Sequence, residues 1–138
     1  MSGFDRERVE GLLSADKYAL GLGVRLLAVN DEEIVVGLDV SDDHANFLGV
    51  GHGGMVFSLA DCAFSLASNS AGPPAVAIDT HLVLTAASRP GDRLEARIQE
   101  VSRGRTLGTY RAEVTRSDGR VVALFTGTVF INQDAGTG

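Results

Sequence analysis

Residues 52–70, HGGMVFSLADCAFSLASNS, constrain the fold more than any other stretch of this 138-residue chain. The segment is made almost wholly of apolar and small residues and is closed by Gly72-Pro73-Pro74. At about 18 residues it is too long for an ordinary strand, and Ala, Leu and Met favour a helix. Few polar residues mark a solvated side, so the helix is expected to be buried nearly all round. Asp61 stands in its middle, an unusual address for a carboxylate.

Everything after the prolines reads as strand. Runs at 75–84, 93–101, 106–116 and 120–131 are separated by Arg89-Pro90-Gly91-Asp92, Ser102-Arg103-Gly104-Arg105 and Ser117-Asp118-Gly119, all with turn chemistry. Ahead of the apolar helix, residues 24–29 and 33–40 are also β-like, and Ile34, Val36, Leu38 and Val40 alternate onto one face. Residues 5 to 20 have a helical pattern, with Val9, Leu12, Leu13 and Leu20 near one side and Gly21-Leu22-Gly23 as a stop. Residues 41–51 form a polar loop, and the tail 133–138 is expected to fray. No helices alternate with the strands, which excludes a parallel α/β fold. The order predicts one α+β domain over residues 1–138: an N-terminal helical segment and an antiparallel sheet of five to six strands curved around one central helix.

Charge and cysteine usage narrow the function. A net charge of −6 opposes general nucleic-acid binding, which needs a positive face. No window holds the uninterrupted apolar run of a membrane span, and the start, MSGFDRERVEGLL, lacks a signal peptide's apolar core. The one cysteine, Cys62, forms no internal disulfide and suits a reducing compartment, so the cytoplasm is the expected location.

Residues 46–54, NFLGVGHGG, concentrate the candidate chemistry. Gly49, Gly51 and Gly54 match a dinucleotide fingerprint, yet a polar loop precedes them where that motif needs a buried strand, and no βαβ return follows. No Lys-Ser/Thr follows for a phosphate loop. Asp42, Asp43, His44 and His52 are metal-ligand types at a spacing that fits no zinc or calcium pattern. Cys62 and His52 are ten residues apart, roughly 15 Å along one helix, too far for a nucleophile–base pair.

The remaining reading makes the helix start an electrophile site. Amides at Gly53 and Gly54 stand at a positive dipole end, suited to negative charge developing on an oxygen. Asn46 and His52 add donors or hold the loop, and Asp61 is a candidate general base or nucleophile. A glycine-rich helix entry also serves plain packing, and a lone Asp also serves an ion pair. Gly53 and Asp61 lie eight residues apart, about 12 Å along a helix, so one chain cannot put both on one carbon. Two antiparallel helices related by a two-fold axis can, which makes a homo-oligomer with interfacial sites the expectation.

The pattern Asn46-x-x-Gly49-x-x-His52-Gly53-Gly54, then Leu59-Ala60-Asp61 and Asn69-Ser70, resembles the phenylacetic-acid-degradation (PaaI-type) hotdog thioesterases, as does the run from Ala123 to Phe130. The resemblance spans residues 20–131. It implies a hotdog fold assembling as dimers or tetramers that hydrolyses acyl- or aryl-CoA thioesters without metal or organic cofactor. In it Asp61 attacks the thioester or activates water, Gly53 polarises the carbonyl with help from Asn46, and His52 positions the loop. A Ser or Thr that the family often carries two positions before His81 is replaced by Asp79, with Thr80 beside it. A second carboxylate there is expected to raise the pKa of Asp61.

For the phosphates of CoA the candidates are Arg89, Arg93, Arg103 and Arg105, each equally readable as a solvated turn residue. Phe47, Phe57 and Phe64 suit an aromatic acyl group, though core packing is their ordinary role. Two other functions compete with hydrolysis: a hotdog enoyl-CoA hydratase or dehydratase using His52 and Asp61, and a non-catalytic acyl-CoA sensor. No basic or helix-turn-helix segment is attached for a regulator.

Overall fold

The computed structural model describes residues 3–134. Two short helices, α1 (Arg6–Ala15) and α2 (Lys17–Leu22), precede strands β1 (Arg25–Val29) and β2 (Ile34–Asp39). A 3-10 turn at Asp42–His44 and the central helix α3 (Gly53–Asn69) follow. Strands β3 (Ala75–Leu84), β4 (Arg93–Arg103), β5 (Leu107–Arg116) and β6 (Val121–Ile131) complete one six-stranded sheet. Its order is β1-β2-β4-β5-β6-β3, antiparallel at every pairing.

The sheet curls around α3 because its strands carry bulges. Register shifts occur between Leu26 and Ala28, Ala77 and Asp79, Glu100 and Ser102, and Val114 and Thr115. Each extra residue bends its strand and sharpens the twist. The inner rows are apolar: Ile34, Val36 and Leu38, then Leu94, Ala96 and Ile98, then Tyr110, Ala112 and Val114, all essentially buried. Gly127 on β6 makes room for the helix, since a Cβ there would stand 2.7 Å from the Phe64 ring. Phe64 in turn packs edge-on against Tyr110 and tilts onto Phe125, with centroids 5.8 and 5.3 Å apart.

Three expectations are corrected. The N-terminal helix is two helices, because Asp16 adopts extended backbone, ends α1 and caps α2 by accepting from the Ala19 amide at 3.0 Å. That break changes the helical phase, so Leu20 is half exposed rather than on the buried face with Val9 and Leu13. The central helix is not buried all round: Gly54, Phe57, Ser58, Asp61 and Ser65 lie on an open stripe at three- and four-residue spacing. In the tail, Gln133 is tied down by donating to the Arg105 carbonyl at 2.8 Å, while residues 135–138 lie outside the described residues. Among the described residues no helix is long and apolar enough to cross a membrane.

Candidate active site

The loop before α3 is held by its own side chains. Asn46 Oδ1 accepts from the Leu48 amide at 2.9 Å and the Val50 amide at 3.3 Å, closing a tight turn in which Gly49 takes φ +79°. His44 accepts from the Ser41 amide through Nδ1, and its Nε2 lies 3.1 Å from the Leu22 carbonyl. His52 caps the helix: its Nδ1 accepts from the Gly54 amide at 2.8 Å. That consumes one of the two glycine amides expected to be free. The Gly53 amide has no acceptor among the described residues, and it points along the positive end of the α3 dipole.

A cleft of about 390 Å³ opens at this end, lined by Asn46, Gly51, Gly53, Leu84, Thr85 and Ser88 among others. The backbone of the glycine loop meets the chain after β3 closely, with the Gly51 amide donating to the Ser88 carbonyl at 2.6 Å. A Cβ on Gly51 would collide with Ser88 Oγ. Ser88 is 2 % exposed, and its hydroxyl finds no partner among the described residues. Turn chemistry hid this residue in the sequence, since Ser88 reads there as an ordinary loop serine. A larger hollow of about 760 Å³ lies at the other end of α3, beside Asp5, Asp31, Glu100 and Arg103, and contains none of the glycine-loop residues or Asp61.

Asp61 is half buried on the open stripe of α3, and no described group donates a hydrogen bond to it. Burial, and secondarily the charge of Asp16, push its carboxyl above the ordinary carboxylate value. The second carboxylate acting on Asp61 is therefore Asp16, brought in by the break between α1 and α2, and not Asp79. Cys62 beside it is buried, and its thiol is pushed up to about 12 by burial and by Asp16 and Asp61. A thiol so raised stays protonated and is a poor nucleophile.

The register of β3 separates the two accessory candidates. Thr80 pairs with Gly127, which is buried on the helix-facing side, whereas Asp79 pairs with Thr128 on the outer face. The bulge at Ala77/Asp79 sets this phase. Asp79 thus faces away from α3. Strand and helix run antiparallel, with Gly53 near Leu84 at one end and Asn69 bonded to Ala75 at the other, so their midpoints, Thr80 and Asp61, fall at one level.

Two of the arginines are committed elsewhere. Arg103 donates to the Ser68 carbonyl at the end of α3 and to the Tyr110 hydroxyl at 2.8 Å, a structural clamp. Arg93 and Arg25 both bind Asp39, holding its carboxyl below the ordinary value. Arg89 and Arg105 remain exposed, and Arg89 directly follows Ser88 at the cleft. Of the aromatic candidates, Phe64 is core, Phe57 packs on Phe125, and Phe47 is 94 % exposed. The side chains of Asp42, Asp43, His44 and His52 do not assemble, and among the described residues no three His, Cys, Asp or Glu groups form a metal cluster.

Comparison with known proteins agrees with this architecture. The profile of the family described as thioesterase superfamily matches residues 48–123, which runs from the glycine loop through α3 into β6. The acyl-coenzyme A thioesterase PaaI of Escherichia coli is 32 % identical over 121 residues, covering 88 % of this chain and 86 % of that protein. The chain belongs to the thioesterase superfamily. Within it, this thioesterase is of the PaaI type and has the hotdog fold. The solved structure of the E. coli PaaI protein superposes with a TM-score of 0.88 at 31 % identity, covering 92 % of each chain. A mutant of the phenylacetic acid degradation protein PaaI from Thermus thermophilus is 44 % identical, with a TM-score of 0.79 over 83 % of this chain and 98 % of that one. A hypothetical thioesterase protein of Streptococcus pneumoniae, solved with coenzyme A, is 27 % identical, with a TM-score of 0.78 over 83 % and 91 %.

Proposed function

We propose that this thioesterase is a cytoplasmic homodimer or homotetramer that hydrolyses acyl- or aryl-CoA thioesters, phenylacetyl-CoA-like ones among them, to free acid and CoA. The observation that carries the reading is Asp61: a half-buried carboxylate without a hydrogen-bond donor, on an open stripe of α3 whose far end carries the unengaged Gly53 amide. The thioester carbonyl sits against Gly53 of one copy, and Asp61 of a second copy reaches the carbonyl carbon. As nucleophile, Asp61 adds to that carbon, the C–S bond breaks, and CoA leaves as thiolate; water then cleaves the mixed anhydride. As general base, it takes a proton from the water that attacks. Both routes consume one water and deliver one acid and one thiol.

Asn46 and His52 keep the Gly53 amide in place, and Thr80 orients the water or the Asp61 carboxylate from β3. Of the four arginine candidates, Arg89 at the cleft and Arg105 more remotely are the ones left for the CoA phosphates. Self-association is supported by unusual exposed apolar surface. Phe47 and Leu48 at the loop tip are 94 % and 73 % exposed, and the edge strand β3 leaves Val76 and Ile78 each 59 % exposed. The relatives' names and the coenzyme A held by the S. pneumoniae protein support the substrate class.

Co-expression tests the two-copy site. Asp61→Ala alone, and Gly53→Pro alone, are expected to release no free thiol from phenylacetyl-CoA. Each mixed dimer then rebuilds one site from the intact Gly53 of one copy and the intact Asp61 of the other, so activity returns. Full activity of Asp61→Ala would end the assignment of Asp61, and mixed dimers as inactive as their parents would end the shared site.

A further inference from the structure

Helix α2 takes no part in the reaction above, yet it lies against the stripe that carries Asp61. The Tyr18 hydroxyl shares a 2.9 Å hydrogen bond with the Ser58 hydroxyl, and Ser58 lies one turn before Asp61 on the same side of α3. At the head of α2, Asp16 is near enough for its charge to act on Asp61. Tyr18 is held by its tip, while the residue as a whole is 65 % exposed. An aromatic residue that serves only packing would be covered; this one keeps large apolar faces open. Phe57, one turn from Asp61, adds a second ring, packed on Phe125 with centroids 5.9 Å apart.

The charge around this corner selects which half of a CoA thioester fits. Asp16 and Asp61 make it anionic, which repels the nucleotide phosphates, whereas the exposed Arg89 follows Ser88 at the cleft by the start of α3. The uncharged acyl half belongs here. We propose that Tyr18 is a specificity-determining residue whose open ring face walls the acyl pocket over Asp61 and favours aryl over short straight-chain acyl groups. The proposal rests on the hydrolase reading above and deepens it.

Steady-state thiol release with phenylacetyl-CoA and acetyl-CoA, for wild type, Tyr18→Ala, Tyr18→Phe and Asp61→Ala, separates the two claims. Turnover by wild type that Asp61→Ala abolishes upholds the hydrolase reading whatever Tyr18 does. Tyr18→Ala is then expected to lower the phenylacetyl-to-acetyl ratio of kcat/KM about 10-fold, while Tyr18→Phe, which keeps the ring, holds the ratio near that of wild type. An unchanged ratio in Tyr18→Ala, or an equal loss on both substrates, would overturn the pocket wall. A ratio in Tyr18→Phe as low as in Tyr18→Ala would also overturn it. Calorimetric binding of the non-hydrolysable phenylacetyl-CoA thioether against CoA alone reads the same wall without turnover. Wild type must bind the thioether more tightly, and Tyr18→Ala must lose that margin; equal margins in both proteins would refute the proposal.

Discussion

Asp61 is costly to the fold. Its carboxyl has the ordinary value of 3.8 in the unfolded chain and a raised one in the folded protein, chiefly through burial. Below the unfolded value both states hold the proton and stability does not depend on this group. As pH rises past it the unfolded chain ionises first, so stability falls until the folded carboxyl also ionises, and the penalty is complete above that point. Asp61→Asn mimics the neutral form. It is expected to melt higher than wild type at pH 7, by no more than about 1–2 kcal/mol of stability, with the gap closing towards pH 4 in thermal melts. Thiol release should fall on the order of 100- to 10,000-fold, as for loss of a general base. A lower melting temperature for the variant at pH 7 would mean that the ionised carboxylate is supported in the fold. The carboxylate was legible in the sequence because an acid in an apolar helix stands out. Asp16, which acts on it, was not, since an acid within a helical-looking run signals a break only once the backbone is seen.

At the level of elements, the glycine loop and the end of β3 depend on one close approach. Gly51 has no Cβ because Ser88 Oγ occupies that space, and the Ser88 hydroxyl is buried without a partner among the described residues. Gly51→Ala forces the two segments apart and is expected to cost about 1–3 kcal/mol, with a fall in thiol release as the Gly53 amide shifts. Ser88→Ala removes an unsatisfied hydroxyl and should be neutral or stabilising. The double variant should recover most of the loss in chemical denaturation, and strict additivity would refute the contact. Most of the elements themselves were readable. Alternation in β2 and β4 and the turn at Ser117-Asp118-Gly119 placed strands to within a few residues, and the apolar run placed α3. The sequence left open which side of β3 faces the helix, because one bulge reverses the alternation between Ala77 and Asp79. Counting two positions back from His81 marked Asp79, whereas the bulge turns Thr80 to the side that faces the helix.

For the whole molecule, the exposed edge of β3 is the feature most in need of a partner. A ten-residue edge strand with Val76 and Ile78 uncovered is a template for pairing with another chain. Ile78→Lys charges the bulge on that edge while leaving the buried rows intact. In sedimentation experiments it is expected to shift the protein towards monomer, with thiol release lost in parallel and the monomer's helical signal retained. A monomer with wild-type activity would contradict a site shared between copies.

Local physics acting on neighbours in the chain is what the sequence determined by itself. It set one long apolar helix, strands around it, the turns, and the unusual carboxylate at Asp61, because propensity, periodicity and turn chemistry all act over a few residues. Only the tertiary structure decided which groups meet across long separations. Arg103 came to clamp the end of α3, Asp16 came within reach of Asp61, Tyr18 met Ser58, and Ser88 was buried against Gly51. Those outcomes depend on curl, register and helix break summed over the whole sheet, and one bulge or one cap is enough to change them.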